Sequence, residues 1–433
     1  MSPLAHALVG ELFAEIDGEL AVGGIAASRL AAEHGTPLYV YDAEILRRRL
    51  SALRGALPER MEVLYSVKAN PNPAVVRCLV AEGAGCEIAS AAEYLRARAA
   101  GCPPARIVFA GPAKGEDELE LVVREGIGEI HVESHEEIAL LSAIAEVLGK
   151  DVDVAIRVNP APAAAGGAMQ MGGRAAVFGV DEERLEEIAL MIREAPRLHL
   201  RGIHMFAGTQ ILDAGVLLDQ WRHALALAAR LAAATGEPVR TVDLGGGLGI
   251  PYFARDSALD LAALSAGAAA LVAGLPPALA GARLLVEPGR FLAGPAGVYL
   301  ARVRVVKRSR GATFVVIDGG MNHNLAASGN LGQILKRDYP ILNASRASAP
   351  TALEARVCGP LCTPLDTLGR EVLLPETRPG DLIAVLQSGA YGLSASAVGF
   401  LSHPTPAEVL VDRGDARRVR ERGTFAHPCA PLP

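Results

Sequence analysis

The stretch MEVLYSVKANPNPAVVRCLVAEGAGCEIAS, residues 61–90, contains two short β-rich runs, VLYSVK (63–68) and CEIAS (86–90), separated by helix-forming residues. The unit recurs along the chain. RIVFAG (106–111), EIHVES (129–134), VAIRVN (154–159), RGIHMF (201–206), TVDLGG (241–246) and RLLVEP (283–288) bring the number of such runs to eight, and segments such as AAEYLRARAA and DELELVVREG lie between them. Near-continuous apolar strands that alternate with helices are parallel and covered by those helices. Eight in succession predict an α/β fold with a closed, TIM-like (β/α)8 barrel; an open doubly wound sheet is the alternative the pattern alone permits.

After Pro288 the rhythm changes. GVYLARVRVVKR, ATFVVIDGG, EARVCGP, REVLLPE, DLIAVLQ and AEVLVD read as short strands between Gly and Pro turns, a separate β domain. The N-terminal stretch GELAVGGIAASRLAAEHGTPLYVYD has strand-like pieces of its own that can complete it. The expected division is an N-terminal segment, 1–35, joining the β domain, a barrel over 36–288, and a C-terminal β domain over 289–433.

Composition narrows the function classes. With 42 Lys+Arg against 48 Asp+Glu the net charge is −6, which argues against nucleic acid as a partner. Hydrophobic residues make up 51% and aromatics only 4%, the profile of a globular enzyme of two or three domains. Six cysteines (Cys78, Cys86, Cys102, Cys358, Cys362, Cys429) and an acidic N-terminus suggest reduced thiols and a cytoplasmic location. The uncharged stretch 261–282 is rich in Ala and Gly and holds Pro276 and Pro277, so a buried helix ending in a turn is expected there, not a membrane span. The low-complexity segment PAPAAAGGAMQMGGRAAVFG (160–179) follows the fifth strand, where a lid or a plain insertion would lie.

Barrel active sites are built at the C-terminal ends of the strands. The first strand closes on Lys68, and a lysine there is either snorkelling at the rim or in use. The seventh runs into Gly245, Gly246 and Gly247, which form a tight turn or let backbone N–H groups approach a phosphate. The eighth ends with Glu287 and Arg290, a structural ion pair or a functional one. Together the amine, the glycine nest and the carboxylate suit pyridoxal 5′-phosphate: the lysine to bind its aldehyde, the glycines its phosphate, the carboxylate its ring nitrogen.

The motifs YSVKAN (65–70), GCEIASAAE (85–93), RVNP (157–160), GTQ (208–210), DLGGGLGIPY (243–252), EPGR (287–290), DGGM (318–321), CGPLCTPLD (358–366) and GAY (389–391) resemble, in order, the alanine-racemase-fold (fold type III) PLP-dependent decarboxylases, the diaminopimelate and ornithine decarboxylase group. The resemblance implies that Lys68 holds the cofactor, that Gly245 to Gly247 and Thr209 contact its phosphate, that Glu287 pairs with its ring nitrogen and that Arg290 lies near phosphate or substrate. It also implies a head-to-tail homodimer in which Cys362, Asp366 and Tyr391 complete the partner's site, with Cys362 as the acid that protonates the carbanion. A carboxylate opposite the ring nitrogen makes a strong electron sink and favours decarboxylation over racemisation. A metal site from Cys358 and Cys362 lacks further ligands at zinc spacing.

Three positions depart from the family. The arginine-bearing run after DGGM is replaced by Asn322, His323, Asn324, Leu325, Ala326, Ala327, Ser328, Gly329 and Asn330; the glutamate after the cysteine is replaced by Thr363; and the histidine that stacks on the cofactor ring is replaced by Phe206, with His204 two positions earlier. Losing charged readers penalises a substrate with a second charged end. These features resemble a side branch that includes the butirosin-pathway decarboxylase, acting on glutamate tethered to an acyl carrier protein, and the exosortase-associated decarboxylases. Asn322 and Ser328 are then expected to face substrate, as are Asp366 and Arg290. A carrier protein is acidic, and either Arg302, Arg304, Lys307, Arg308 and Arg310 or Arg413, Arg417, Arg418, Arg420 and Arg422 would dock it. The expected activity is decarboxylation of an amino acid or of its carrier-bound form; the alternatives are a decarboxylase of free diaminopimelate, ornithine or lysine, and an inactive regulatory homologue.

Overall fold

The structure is a computed structural model, and it describes residues 1–161, 169–170, 175–331, 333 and 335–431. The chain forms two compact units: one of Met1–Arg48, Pro251–Ser257 and Leu292–Pro433, the other of Arg49–Ile250 and Ala258–Phe291.

The second unit is the barrel. Its strands are β1 (Met61–Ser66), β2 (Gly85–Ile88), β3 (Ile107–Phe109), β4 (Glu129–Val132), β5 (Val152–Asn159), β6 (Leu198–Met205), β7 (Thr241–Asp243) and β8 (Arg283–Val286). Each pairs in parallel with the next, and β8 pairs with β1, for example Leu284 with Met61, so the sheet closes. These are the eight runs read in the sequence. Their residues are buried almost throughout, the polar Glu129 and His131 of β4 included. Local chemistry starts the intervening helices: the side chains of Asn72, Ser90, Ser134, Asp213 and Asp260 accept the first free backbone N–H groups.

The stretch 261–282 differs from expectation. It forms a helix, Leu261–Ala273, but only Leu264 and Ala268 of that helix are buried, so it is a surface helix of small residues. Alanine is as much at home on an exposed helix face as inside, and hydropathy alone overstates its burial. Among the described residues, no helix is long and apolar enough to cross a membrane. The proposed lid lies largely outside the described residues; of it, Met169–Gln170 pairs antiparallel with Gly208–Thr209.

The first unit is mostly sheet. β9 (Gly297–Ser309), β10 (Ala312–Ile317), β11 (Leu353–Cys358), β12 (Thr367–Leu374), β13 (Leu382–Val385) and β14 (Ala407–Asp412) are the six strand runs expected after Pro288. The N-terminal contribution is longer than 1–35. Leu38–Asp42 pairs antiparallel with Gly297–Leu300 of β9 and in parallel with Ala407–Val411 of β14, and the unit runs on to Arg48. All five residues of that strand are buried, a β-branched and aromatic run that fits a central position in a sheet.

Candidate active site

At the mouth of the barrel, β1 turns through a short 3-10 segment, Val67–Ala69, that carries Lys68. Its Nζ lies 2.7 and 2.8 Å from the two carboxylate oxygens of Glu87, at the end of β2. The Glu87 side chain is 1% exposed and that of Lys68 40%, so the amine faces the opening while its counter-ion is inside. Ser66 Oγ donates to the same carboxylate. Phe206, just after β6, presents its ring centroid 6.0 Å from Lys68 Nζ.

Past β7 the backbone doubles back. Gly245 and Gly247 have φ of 69° and 95°, conformations that only glycine adopts readily. A Cβ on Gly245, Gly246 or Gly247 would collide with the carbonyls of Met205, Glu287 and Gly208 respectively. The Gly245 N–H donates to Asp243 Oδ1 at 2.9 Å, and the Glu287 N–H donates to the Gly245 carbonyl at 2.9 Å, which fixes the turn against β8. Thr209 stands on the loop after β6 whose Gly208 carbonyl approaches Gly247.

Beneath the mouth lies a buried polar cluster. Glu287 Oε2 is 3.3 Å from His204 Nε2, the rings of His204 and His131 stack with centroids 4.5 Å apart, and His131 Nε2 lies 3.2 Å from Glu129 and 3.9 Å from Asp243. Burial pushes His204 down to about 4, although Glu287 acts to raise it, so this imidazole is neutral at neutral pH. Asp243 is held well above the usual carboxylate range by burial and by the Glu287 carboxylate beside it. Burial acts to raise Glu287 as well, but His204, Lys68 and His131 together hold it well below that range. Glu287 is therefore held as an anion. Its Oε1 is buried without a hydrogen-bond partner, an acceptor aimed at something the chain does not supply. The donor atoms of His131, His204 and Glu287 lie within 4.8 Å of one another.

An aldehyde-reactive amine, a glycine cradle too tight for any Cβ and a buried, unsatisfied carboxylate are the three contacts that pyridoxal 5′-phosphate requires, and the residues present fit it. All of them belong to the barrel unit. Arg290 begins a short helix there, Arg290–Ala293, and is half-buried.

The other expected residues lie in the β-domain unit. Cys362 is an exposed free thiol, whereas Cys358 is half-buried, with Sγ 3.8 Å from the Thr367 hydroxyl. Asp366 is buried, and its two oxygens accept the N–H groups of Met321 (2.7 Å) and Leu361 (2.8 Å). It thereby pins the loop that presents Cys362. Tyr391 is half-buried, at φ 52°, an unusual backbone for a bulky residue.

Asn322 and Ser328 are wholly buried and engage their own segment: Asn322 Nδ2 lies 3.1 Å from His323 Nε2, and Ser328 Oγ donates to the Leu325 carbonyl at 2.8 Å. Burial pushes His323 down to about 3, so the 322–330 segment carries no charge near neutral pH. Asn330 ties this segment to the cysteine loop, donating to the Leu365 carbonyl at 3.2 Å.

Glu87, Asp243 and His131 were not singled out in the sequence. Glu87 and Asp243 satisfy the rule that found Lys68, a charged residue at the C-terminal end of a barrel strand, and its full application would have exposed them.

Residues 43–294 match the family described as "Pyridoxal-dependent decarboxylase, pyridoxal binding domain". The chain is 37% identical over 393 residues to the L-glutamyl-[BtrI acyl-carrier protein] decarboxylase of Niallia circulans, covering 90% of this chain and 92% of that protein. It is 34% identical to the diaminopimelate decarboxylase of Aquifex aeolicus, covering 96% of each. The crystal structure of diaminopimelate decarboxylase from M. jannaschii in complex with L-lysine superposes with a TM-score of 0.88 at 27% identity, covering 96% of each chain.

Proposed function

Since the chain belongs to the pyridoxal-dependent decarboxylases, whose cofactor is pyridoxal 5′-phosphate, we propose that its substrate is an amino acid carried as a thioester on an acyl carrier protein. Loss of CO2 requires a free α-carboxylate beside a free α-amine. The thioester must therefore be made through a side-chain carboxyl, as in a γ-glutamyl group. The observation that carries this reading is the uncharged 322–330 segment. With His323 neutral, the segment's own residues offer no cation to a second carboxylate, and a thioester brings none.

The bound cofactor supplies the electron sink for the pair of electrons left when CO2 departs. The chain's residues do the rest. Lys68 holds the cofactor covalently through its amine, which Glu87 orients. Gly245 to Gly247 and Thr209 hold the phosphate, with Arg290 beside phosphate or substrate, and Phe206 covers the ring with an apolar face. Glu287, kept ionised, retains a proton on the ring nitrogen. Cys362 gives its thiol proton to the α-carbon, forming the C–H bond of the product amine, and recovers a proton from water. In a head-to-tail homodimer Cys362 and Tyr391 serve the partner's site, and Asp366 sets the cysteine loop. Six free thiols suit a reducing, cytoplasmic setting.

The test is CO2 release by the PLP-loaded protein from free glutamate, diaminopimelate, ornithine and lysine, and from γ-glutamyl carrier protein. Release from the carrier-bound form alone is expected. Turnover of free diaminopimelate at a comparable kcat/KM would return the protein to the activity its Aquifex relative is named for.

A further inference from the structure

We propose that a basic cleft in the β-domain unit is the dock for the acidic carrier protein, with the phosphate of its pantetheine arm received among Arg310, Lys336, Arg356 and Arg370. The proposal rests on the carrier-bound substrate reading above. The cleft measures about 890 Å³, and its charged lining is those four cations with Glu354 and Glu371, so 4 − 2 gives +2. That sign stands against a chain whose net charge is −6.

Strand register builds the patch. Lys307 of β9 is opposite Phe314 of β10, which is opposite Arg356 of β11, so two cations flank one aromatic ring on the same sheet face. The Arg356 guanidinium carbon lies 5.7 Å from that ring's centroid. Lys307, Arg308 and Arg310 are exposed at the end of β9. Among the described residues, Arg370 alone of these cations is in an ion pair, with Asp338 at 3.3 Å.

Three of the five arginines of the rival cluster are already engaged. Arg418 pairs with Glu421 at 2.9 Å, Arg420 lies 3.7 Å from Glu408, and Arg422 donates to the carbonyls of His34 and Pro37. Arg302 and Arg304 are likewise turned to the Gly380 carbonyl and to Asp318. Arg413 and Arg417 are exposed as well, so what sets the 307–310 end apart is the cleft that Arg310 lines beside it.

The cleft also leads to the loop with the proposed acid. Pro364 and Thr367 line it and flank the turn that follows Cys362. Lys336 Nζ reaches Asn330 Oδ1 at 2.5 Å, and Arg370 Nη2 donates to the Ser328 carbonyl at 2.9 Å. A phosphate held here would leave its arm beside the uncharged 322–330 segment and Cys362, within one unit of the chain. Charge complementarity of this kind acts mostly on encounter and is screened by salt.

The experiment compares γ-glutamyl carrier protein with γ-glutamyl pantetheine thioester, which lacks the protein, using PLP-loaded enzyme. The variant Lys307→Glu/Arg310→Asp reverses two exposed charges, and aspartate tolerates the left-handed backbone at position 310, where φ is 51°. KM for the carrier substrate should rise about tenfold or more at low salt, with kcat and turnover of the pantetheine thioester unchanged. Arg413→Glu/Arg417→Glu should leave KM as in the wild type. A carrier KM unmoved by the first variant, or raised only by the second, overturns the dock while leaving the substrate reading intact. Wild-type enzyme that releases CO2 only from free amino acids overturns the substrate reading itself.

Discussion

Replacing His204 by glutamine removes one proton-binding group from the barrel interior, and the outcome is a change in how stability depends on pH. The imidazole is fully buried and pushed down to about 4 by that burial. In the unfolded chain it titrates near 6.5. The folded protein thus binds this proton less readily than the unfolded one, so the stability is intact above pH 6.5 and is lost as the pH falls toward 4. At 1.36 kcal/mol per pH unit the full loss is about 3 kcal/mol, of which about 2 kcal/mol falls between pH 7 and pH 5. Glutamine cannot titrate. The variant pays a constant offset for altered packing, but the gap between wild type and variant should narrow by about 2 kcal/mol over that interval. Asp243 acts in the opposite sense in both proteins. Urea unfolding followed by fluorescence of Trp221, the chain's one tryptophan and fully buried in the barrel unit, measures it at each pH. Parallel stability curves from pH 7 to pH 5 would show that His204 titrates normally, and the assignment of a neutral His204 beside an ionised Glu287 would go with it.

Three further substitutions test the mouth of the barrel. Glu287→Gln keeps the shape and removes the charge, so kcat should fall by about 10²–10³ while cofactor still binds; steady-state rates beside a cofactor titration separate the two. Gly246→Ala sets a methyl against the Glu287 carbonyl, and cofactor affinity, read from the visible absorbance of the loaded protein, should drop about tenfold or more with a lower melting temperature. Glu87→Gln leaves Lys68 a neutral partner in place of a charge-assisted one, and kcat should fall about tenfold, as measured by CO2 release at saturating cofactor.

The barrel was legible because its strands are buried on both faces and so stand out as apolar runs at regular spacing, and the glycine turn because three adjacent glycines have few other uses. The end of the N-terminal contribution, set at residue 35 although the stretch through Asp42 reads as able to complete the β domain, was not; it turns on the strand Leu38–Asp42. Its partners, Gly297–Leu300 and Ala407–Val411, are hundreds of residues away, and pairing over such a separation leaves no local trace. Helix 261–273 misled through composition, since alanine raises hydropathy without requiring burial. Within the site, Lys68 and Glu287 were found by their place at strand ends. Glu87 passed as part of a motif, and its function appears only when strand pairing sets Ser66 opposite it. Asn322 and Ser328 stand in a polar run whose sequence does not show that both are wholly buried, with Asn322 Nδ2 against His323 and Ser328 Oγ between Leu325 and Asn330.

The departures from the family share one electrostatic direction. Phe206 replaces an ionisable ring with an apolar one, the 322–330 segment replaces an arginine with amides and hydroxyls, and Thr363 replaces a carboxylate. Each removes a charge or the capacity for one. Burial then silences two groups that remain, His204 beneath the mouth and His323 in the substrate segment. Among the charges that remain in the barrel mouth are Lys68 with Glu87 and the Glu287 anion below them. On the proposed reading, a site pared down in this way would still support decarboxylation, because Glu287 is retained to pair with the ring nitrogen. Recognition of a far end of the substrate is what it gives up. A substrate whose distal carboxyl is masked as a thioester has no use for that recognition, and the binding energy it forgoes there has to come from contacts with the carrier, outside the mouth.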